Sequence, residues 1–221
     1  MKVFIRLISM LIPVVLPFFL LMSSIRVLLN PLFLDYEYNQ PNFPADDFGF
    51  TTPDRLEWGK ISLLYLTNNE SDNYLGTLKL DDGSPLFNQR ELSHMLDVRV
   101  LVKAALKAWY GVGLFLFLSL ALFWRTNNIK RYWQAVSIGG WLTLGFIVLM
   151  IAGVFIDFYQ LFAGFHAIFF EGDTWLFFTN DTLIRLFPEK LWSDAFIYLG
   201  MFTLISALVC ACAGRKLAQR N

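Results

Sequence analysis

The sequence predicts an all-α integral membrane protein: four transmembrane helices with an extracytoplasmic cap made from two outer loops, helical with room for a short β segment. Three observations predict it. Apolar residues make up 56% of the 221-residue chain and charged residues only 16%, too apolar a balance for an ordinary soluble domain. Four apolar runs approach the roughly 20 helical residues that cross a bilayer core. Charge is also segregated. Lys2 and Arg6, then Arg125, Lys130 and Arg131, then Arg215, Lys216 and Arg220 lie in segments without an acidic residue. All 18 acids fall elsewhere, 12 between Asp35 and Asp97 and 6 between Asp157 and Asp194. The positive-inside rule therefore puts both termini in the cytoplasm and both large loops outside. No basic patch lies outside, so nucleic acid is not an expected partner.

Residues 1–29 are read as the first transmembrane helix. No small-x-small cleavage site follows the apolar run, so it is taken as retained rather than as a signal peptide. Pro13 and Pro17 are expected to kink it, which neighbouring membrane helices can accommodate. Residues 30–103 form an extracytoplasmic cap. Its Asn-, Pro- and Asp-rich start, 30–50, reads as irregular. "TTPDRLEWGKISLLYL" then offers a helix capped by Thr52 with Pro53 in its first turn. Tyr74 to Leu80, ahead of Asp82-Gly83, suggests a short extended segment and a turn.

Asn88 and Glu91 are spaced as a capping box, and no Gly or Pro interrupts the chain from Gln89 to Tyr110. One helix from Gln89 to Trp124 would be about 54 Å long, beyond a core of about 30 Å. Only 104–124 is assigned to the membrane, with Arg99, Lys103 and Lys107 snorkelling at its edge. A cytoplasmic loop, 125–132, leads to the third transmembrane helix, 133–156. An outer interfacial loop follows at 157–194, where Thr179 or Asn180 can cap a short helix ended by Pro188. The fourth transmembrane helix is 195–213 and the cytoplasmic tail 214–221. Cys210 and Cys212, two apart on a helix, do not face each other and read as packing residues.

The chain has two histidines, and both fall outside the apolar runs. His94 lies about 15 Å above the membrane entry of the second helix. His166 lies in "GFHAIFFEGDTW", just past the third. Both are near the outer headgroup layer, where a lipid's glycerol esters also lie. Arg90, His94 and Asp97 share a helix face, so Asp97 can hold one ring nitrogen and leave the other free as a base. Asp173, across Gly172, is placed to orient His166. Trp175 and Phe169 read as interface anchors and as walls for acyl chains. Arg185 either binds a headgroup phosphate or a substrate carbonyl, or pairs with Asp181, four residues earlier. Glu91 reads as a helix cap rather than a base. Ser93 points about 100° from His94 and makes a poor dyad with it. No GxSxG elbow or HExxH motif occurs, and no metal is expected. No ionisable residue lies in the middle of a transmembrane helix, which argues against a transporter.

Three blocks, "FGFTTPDRLEWGKISLLYL", "LDDGSPLFNQRELSHMLDV" and "FHAIFFEGDTWLFFTNDTLIRLFPEKLW", resemble the lipoprotein intramolecular transacylase (Lit) family of bacterial four-helix membrane proteins. The resemblance runs from the first helix to the fourth. It implies an acyltransferase in the bacterial cell membrane, acting as a monomer on a diacylated lipoprotein among membrane lipids. The sn-2 O-acyl chain of the diacylglyceryl-cysteine would move to the α-amine of the same cysteine, giving an N-acyl lyso-lipoprotein. His94 and His166 would be the catalytic pair. No cofactor is implied, because an amide is more stable than an ester. His94 is the expected general base, oriented by Asp97, and His166 the acid or oxyanion stabiliser, with the reversed assignment also open. The opposing expectation is a lipid- or lipoprotein-binding accessory protein without catalysis.

Overall fold

A computed structural model describes residues 2–170 and 172–220; of the outer acids counted above, Glu171 lies outside the described residues. Among the described residues seven α-helices run in order: α1 (Lys2–Leu28), α2 (Pro31–Tyr38), α3 (Thr52–Tyr65), α4 (Gln89–Arg125), α5 (Ile129–Phe169), α6 (Thr182–Leu186) and α7 (Glu189–Arg220). α1, α4, α5 and α7 are long and apolar enough to cross a membrane. The chain divides into two compact units.

The first unit comprises Met1–Arg26, Ala105–Ile156 and Phe196–Asn221. Its core joins Ile12 and Leu16 of α1, Phe123 of α4, Tyr132 and Val136 of α5, and Ala207 of α7. Lipid tails are as apolar as leucine, so close packing and shared hydrogen bonds must hold such helices together. Ser137 Oγ donates to the Ala211 carbonyl at 2.8 Å. Thr203 Oγ1 donates to Ser24 Oγ at 2.9 Å, and Trp109 Nε1 to Ser23 Oγ at 3.1 Å. Where α5 meets α7, a Cβ on Gly140 would stand 2.5 Å from Ala211 N and 2.8 Å from the Ala207 carbonyl oxygen. Gly140→Ala is therefore expected to force the two backbones apart, at about 1–3 kcal/mol by the usual scale of overpacking. The thermal midpoint of the purified variant in detergent measures it; an unchanged midpoint would refute the close approach.

The second unit comprises Val27–Ala104 and Asp157–Ala195. Its largest core gathers Tyr65, Leu75, Leu86, Phe87, Met95, Leu183 and Leu186. α2 replaces the irregular segment expected at 30–50. Asn30 Oδ1 accepts the Leu32 N–H at 3.0 Å and Pro31 fills the first turn, a start signal hidden in a loop-like composition. The cap of α3 is Thr51, one residue before the expected Thr52. Asp54 takes the Thr51 N–H at 2.8 Å and Thr51 Oγ1 takes the Asp54 N–H at 3.3 Å, and a capping box needs that three-residue separation. The expected extended segment is instead a 3-10 turn, Tyr74–Thr77. What β structure exists among the described residues is one bridge, Lys79 with Pro85, closed around Gly83 at φ +83°.

Asn88 and Glu91 form the expected box: Asn88 N–H donates to Glu91 Oε2 at 2.7 Å and Glu91 N–H to Asn88 Oδ1 at 3.0 Å. The other Glu91 oxygen accepts the Leu183 N–H at 2.6 Å, so this carboxylate also ties the two loop segments together. Arg99 does not snorkel. It is 2% exposed, donates to the carbonyls of Asn68 (3.2 Å) and Glu70 (2.5 Å), and lies 4.2 Å over the Tyr65 ring. α6 starts after Asp181 rather than Thr179 or Asn180. Pro188 separates it from α7, which begins at Glu189, ahead of the predicted start at 195.

Candidate active site

His94 sits in the second turn of α4, which the Asn88–Glu91 box fixes at its root. His166 owes its position to Asp157, whose extended backbone (φ −159°, ψ 92°) interrupts α5. Asp157 Oδ1 then accepts the Gln160 N–H at 3.0 Å, restarting the helix that carries His166. The two imidazoles stack with ring centres 6.0 Å apart and planes 24° from parallel. They are 9% and 8% exposed, so the two loops do bring the two histidines together.

Aromatic rings enclose the pair. Phe170 and Phe177 stand 5.1 and 5.3 Å from His94. Trp175 stacks on His166 at 4.6 Å, and Phe162 lies 4.2 Å from it. Trp175 and Phe170, both in the run around His166, are legible from the sequence as aromatic neighbours; Phe162 and Phe177 are not singled out by it. Phe162 and Phe170 both carry a local signal, lying one helical turn before and after His166, whereas Phe177 carries none. Phe169, expected as a wall, is 48% exposed and meets Phe165 at 4.9 Å.

His166 Nδ1 is 2.8 Å from the Phe162 carbonyl oxygen. A carbonyl only accepts, so Nδ1 carries the proton and the neutral ring keeps its lone pair on Nε2. His94 Nδ1 is buried without a hydrogen-bond partner among the described residues. Burial, and then the charge on His166, hold the His94 imidazole down at about 4. Burial also lowers His166, against an upward pull from the Phe162 carbonyl. Both rings are thus neutral at pH 7.

The expected helpers sit differently. Asp97 is exposed and does not hold His94 Nδ1. The aromatic cluster draws the ring inward, while the residue three positions on remains at the surface. Asp173 does not orient His166, because that ring is already held by its own helix. Instead Arg90 Nη2 donates to the Asp173 carbonyl at 2.5 Å and lies 3.3 Å from its carboxylate. Arg90 thereby fastens the segment that turns at Gly172 (φ +65°) and carries Trp175. Arg185 pairs with Asp46 rather than Asp181: its Nε and Nη2 donate to the two carboxylate oxygens, each at 3.0 Å, and its guanidinium lies 3.5 Å over Phe50. Asp181 accepts the Phe178 N–H at 2.7 Å and Asn88 Nδ2 at 2.9 Å. Among the described residues no group of three His, Cys, Asp or Glu side chains is arranged to hold a metal.

Comparison with known proteins matches residues 10–192 to a family model described as lipoprotein intramolecular transacylase Lit. An uncharacterized protein of Aquifex aeolicus (strain VF5) is 25% identical over 211 residues, covering 95% of this chain and 94% of that one. The solved structure of the membrane integral lipoprotein intramolecular transacylase Lit from Bacillus cereus superposes with a TM-score of 0.82. It is 20% identical and covers 100% of this chain and 98% of its own. A variant of that protein with one histidine replaced by alanine superposes at 0.74, with 19% identity, over 99% of this chain and 96% of its own.

Proposed function

The chain belongs to the lipoprotein intramolecular transacylase Lit family, and from that premise we propose that it moves the sn-2 acyl chain of a lipoprotein's diacylglyceryl-cysteine to the α-amine of that cysteine. The observation that carries this reading is the stacked histidine pair, 6.0 Å apart inside an aromatic enclosure. The neutral amine attacks the ester carbonyl, the C–N bond forms, and the C–O bond to the glycerol breaks. The proton lost by nitrogen ends on the glycerol oxygen. Donor and acceptor belong to one molecule, so an enclosure that holds the lipid folded on itself supplies much of the rate.

The ring bonding favours the reversed division of labour. The Phe162 carbonyl stabilises a protonated His166 and leaves Nε2 to accept the amine proton. His94, the less basic ring, stays neutral and offers a ring N–H to the oxygen that becomes negative. Arg90 holds Trp175 against His166. The charge pattern supports a site on the extracytoplasmic side of the bacterial plasma membrane, with both termini cytoplasmic.

Substrate and product are isomers, so intact mass cannot tell them apart. The test uses the purified chain in liposomes with a synthetic diacylglyceryl-cysteinyl peptide. The amine is expected to lose reactivity toward an acylating reagent while the mass stays constant, and fragmentation should place one acyl chain on nitrogen. An amine that remains free would reject the reading. The pH profile gives a second check. The substrate amine must start neutral, which sets a first acid limb of kcat/KM near its ordinary value of about 8. His166 must also start neutral and, held below its ordinary 6.5 by burial, is expected to add a second, steeper acid limb below pH 6.5. Trp175→Ala admits water to the ring and should move that limb upward; an unmoved limb would separate His166 from the acid side of the profile.

A further inference from the structure

Away from the histidines, the first unit holds a groove of about 560 Å3 between α1 and α5, whose polar lining is Arg6, Ser9, Arg131 and Gln134. Neither guanidinium is in an ion pair among the described residues, and residues 1–29 and 125–132 contain no acid that could neutralise them. Both arginines are exposed, and two in one groove without an acid attract an anion; the planar guanidinium suits phosphate oxygens in a bidentate grip. The remaining wall is apolar: Met10 and Ile138, 59% and 55% exposed, with Pro13 and Ala135 on the same groove. A soluble phosphate would leave that wall bare. A phospholipid would set its phosphate against the arginines and an acyl chain along Met10, Pro13 and Ile138.

We infer that this groove binds a phospholipid whose headgroup is net anionic, of the phosphatidylglycerol type. The headgroup charge follows from the lining. A zwitterionic lipid would bring an ammonium or choline beside two arginines with no carboxylate to receive it. The hydroxyls of a glycerol headgroup can instead bond the Gln134 amide and the Ser9 hydroxyl oxygen. By the positive-inside rule this is the cytoplasmic leaflet, where anionic lipids attract such basic clusters. The site does not depend on the transacylase chemistry.

Thermal unfolding of the full chain in detergent tests it, with added phosphatidylglycerol, phosphatidylcholine or inorganic phosphate. A ligand bound only by the native state raises the midpoint. Phosphatidylglycerol is expected to raise it and the other two to leave it nearly unmoved. Arg6→Gln with Arg131→Gln should weaken the response by about thirtyfold in lipid concentration, the scale of losing two arginines at an anionic lipid surface. Native mass spectrometry of the unsubstituted chain, expected to retain one phosphatidylglycerol in preference to phosphatidylcholine, keeps the test valid if that variant folds poorly. Equal responses to the two lipids, a full response to inorganic phosphate, or an undiminished response in the arginine variant would each overturn the inference.

Discussion

His166→Ala is expected to lower the acyl-transfer rate by about two to four orders of magnitude, the range for losing a positioned proton acceptor. His94→Ala is expected to lose about 10²–10³, as when one oxyanion donor is removed. The two substitutions together should cost far less than the product of the single losses, because residues that act on one transition state are not additive. The measurement is single-turnover formation of the N-acyl peptide at pH 7, with thermal midpoints recorded to show that each variant folds. His166→Gln controls for the hole left in the enclosure, since it keeps polarity and much of the volume without an imidazole's basicity. Wild-type rates in both alanine variants would leave the pair as a packing feature.

Arg185→Ala should act through the fold. The Asp46 side chain is 2% exposed. Burial alone would raise its carboxyl, but Arg185 and the N–H groups of Phe50 and Phe48 outweigh that and hold it below its ordinary value. Removing the guanidinium strands a buried charge, at a cost of about 3–5 kcal/mol. The sign with pH follows from the lowered value. Asp46 contributes stability above pH 3.8, and loses it as pH falls through its folded-state value. Arg185→Met with Asp46→Leu removes both charges and should recover much of the loss. If Arg185 instead bound substrate, KM would rise while the melting midpoint stayed put, so paired melting and kinetic measurements separate the two roles.

The sequence was most readable where the physics is local or one-dimensional. Apolar run length marked the four long helices, and the three-residue spacing of Asn88 and Glu91 marked the start of α4. Depth along a helix even suggested that His94 and His166 share a level. It failed where a partner comes from far along the chain. Helical spacing offered Asp97 to His94 and Asp181 to Arg185, because those are the neighbours that a period of 3.6 can see. The actual partners are aromatic rings from the second loop and Asp46, 139 positions from Arg185. Composition misled at 30–50, where Asn and Pro served as a helix cap and first turn rather than as a coil.

Glu91 and Asp46 also set a timetable for the newborn chain. Their partners, Leu183 and Arg185, are encoded 92 and 139 positions later. At a synthesis rate of about 5–20 residues per second, Asp46 waits roughly 7–28 s for its guanidinium. Through that interval the first loop is an unfinished half, in which Asp46 has only the N–H groups of Phe48 and Phe50 to hold it. The histidine on α4 emerges in the same half, well before its companion. Pairing of the two histidines and completion of this unit thus fall on one late event, the delivery of the second loop, and a chain arrested before it is expected to lack the proposed site.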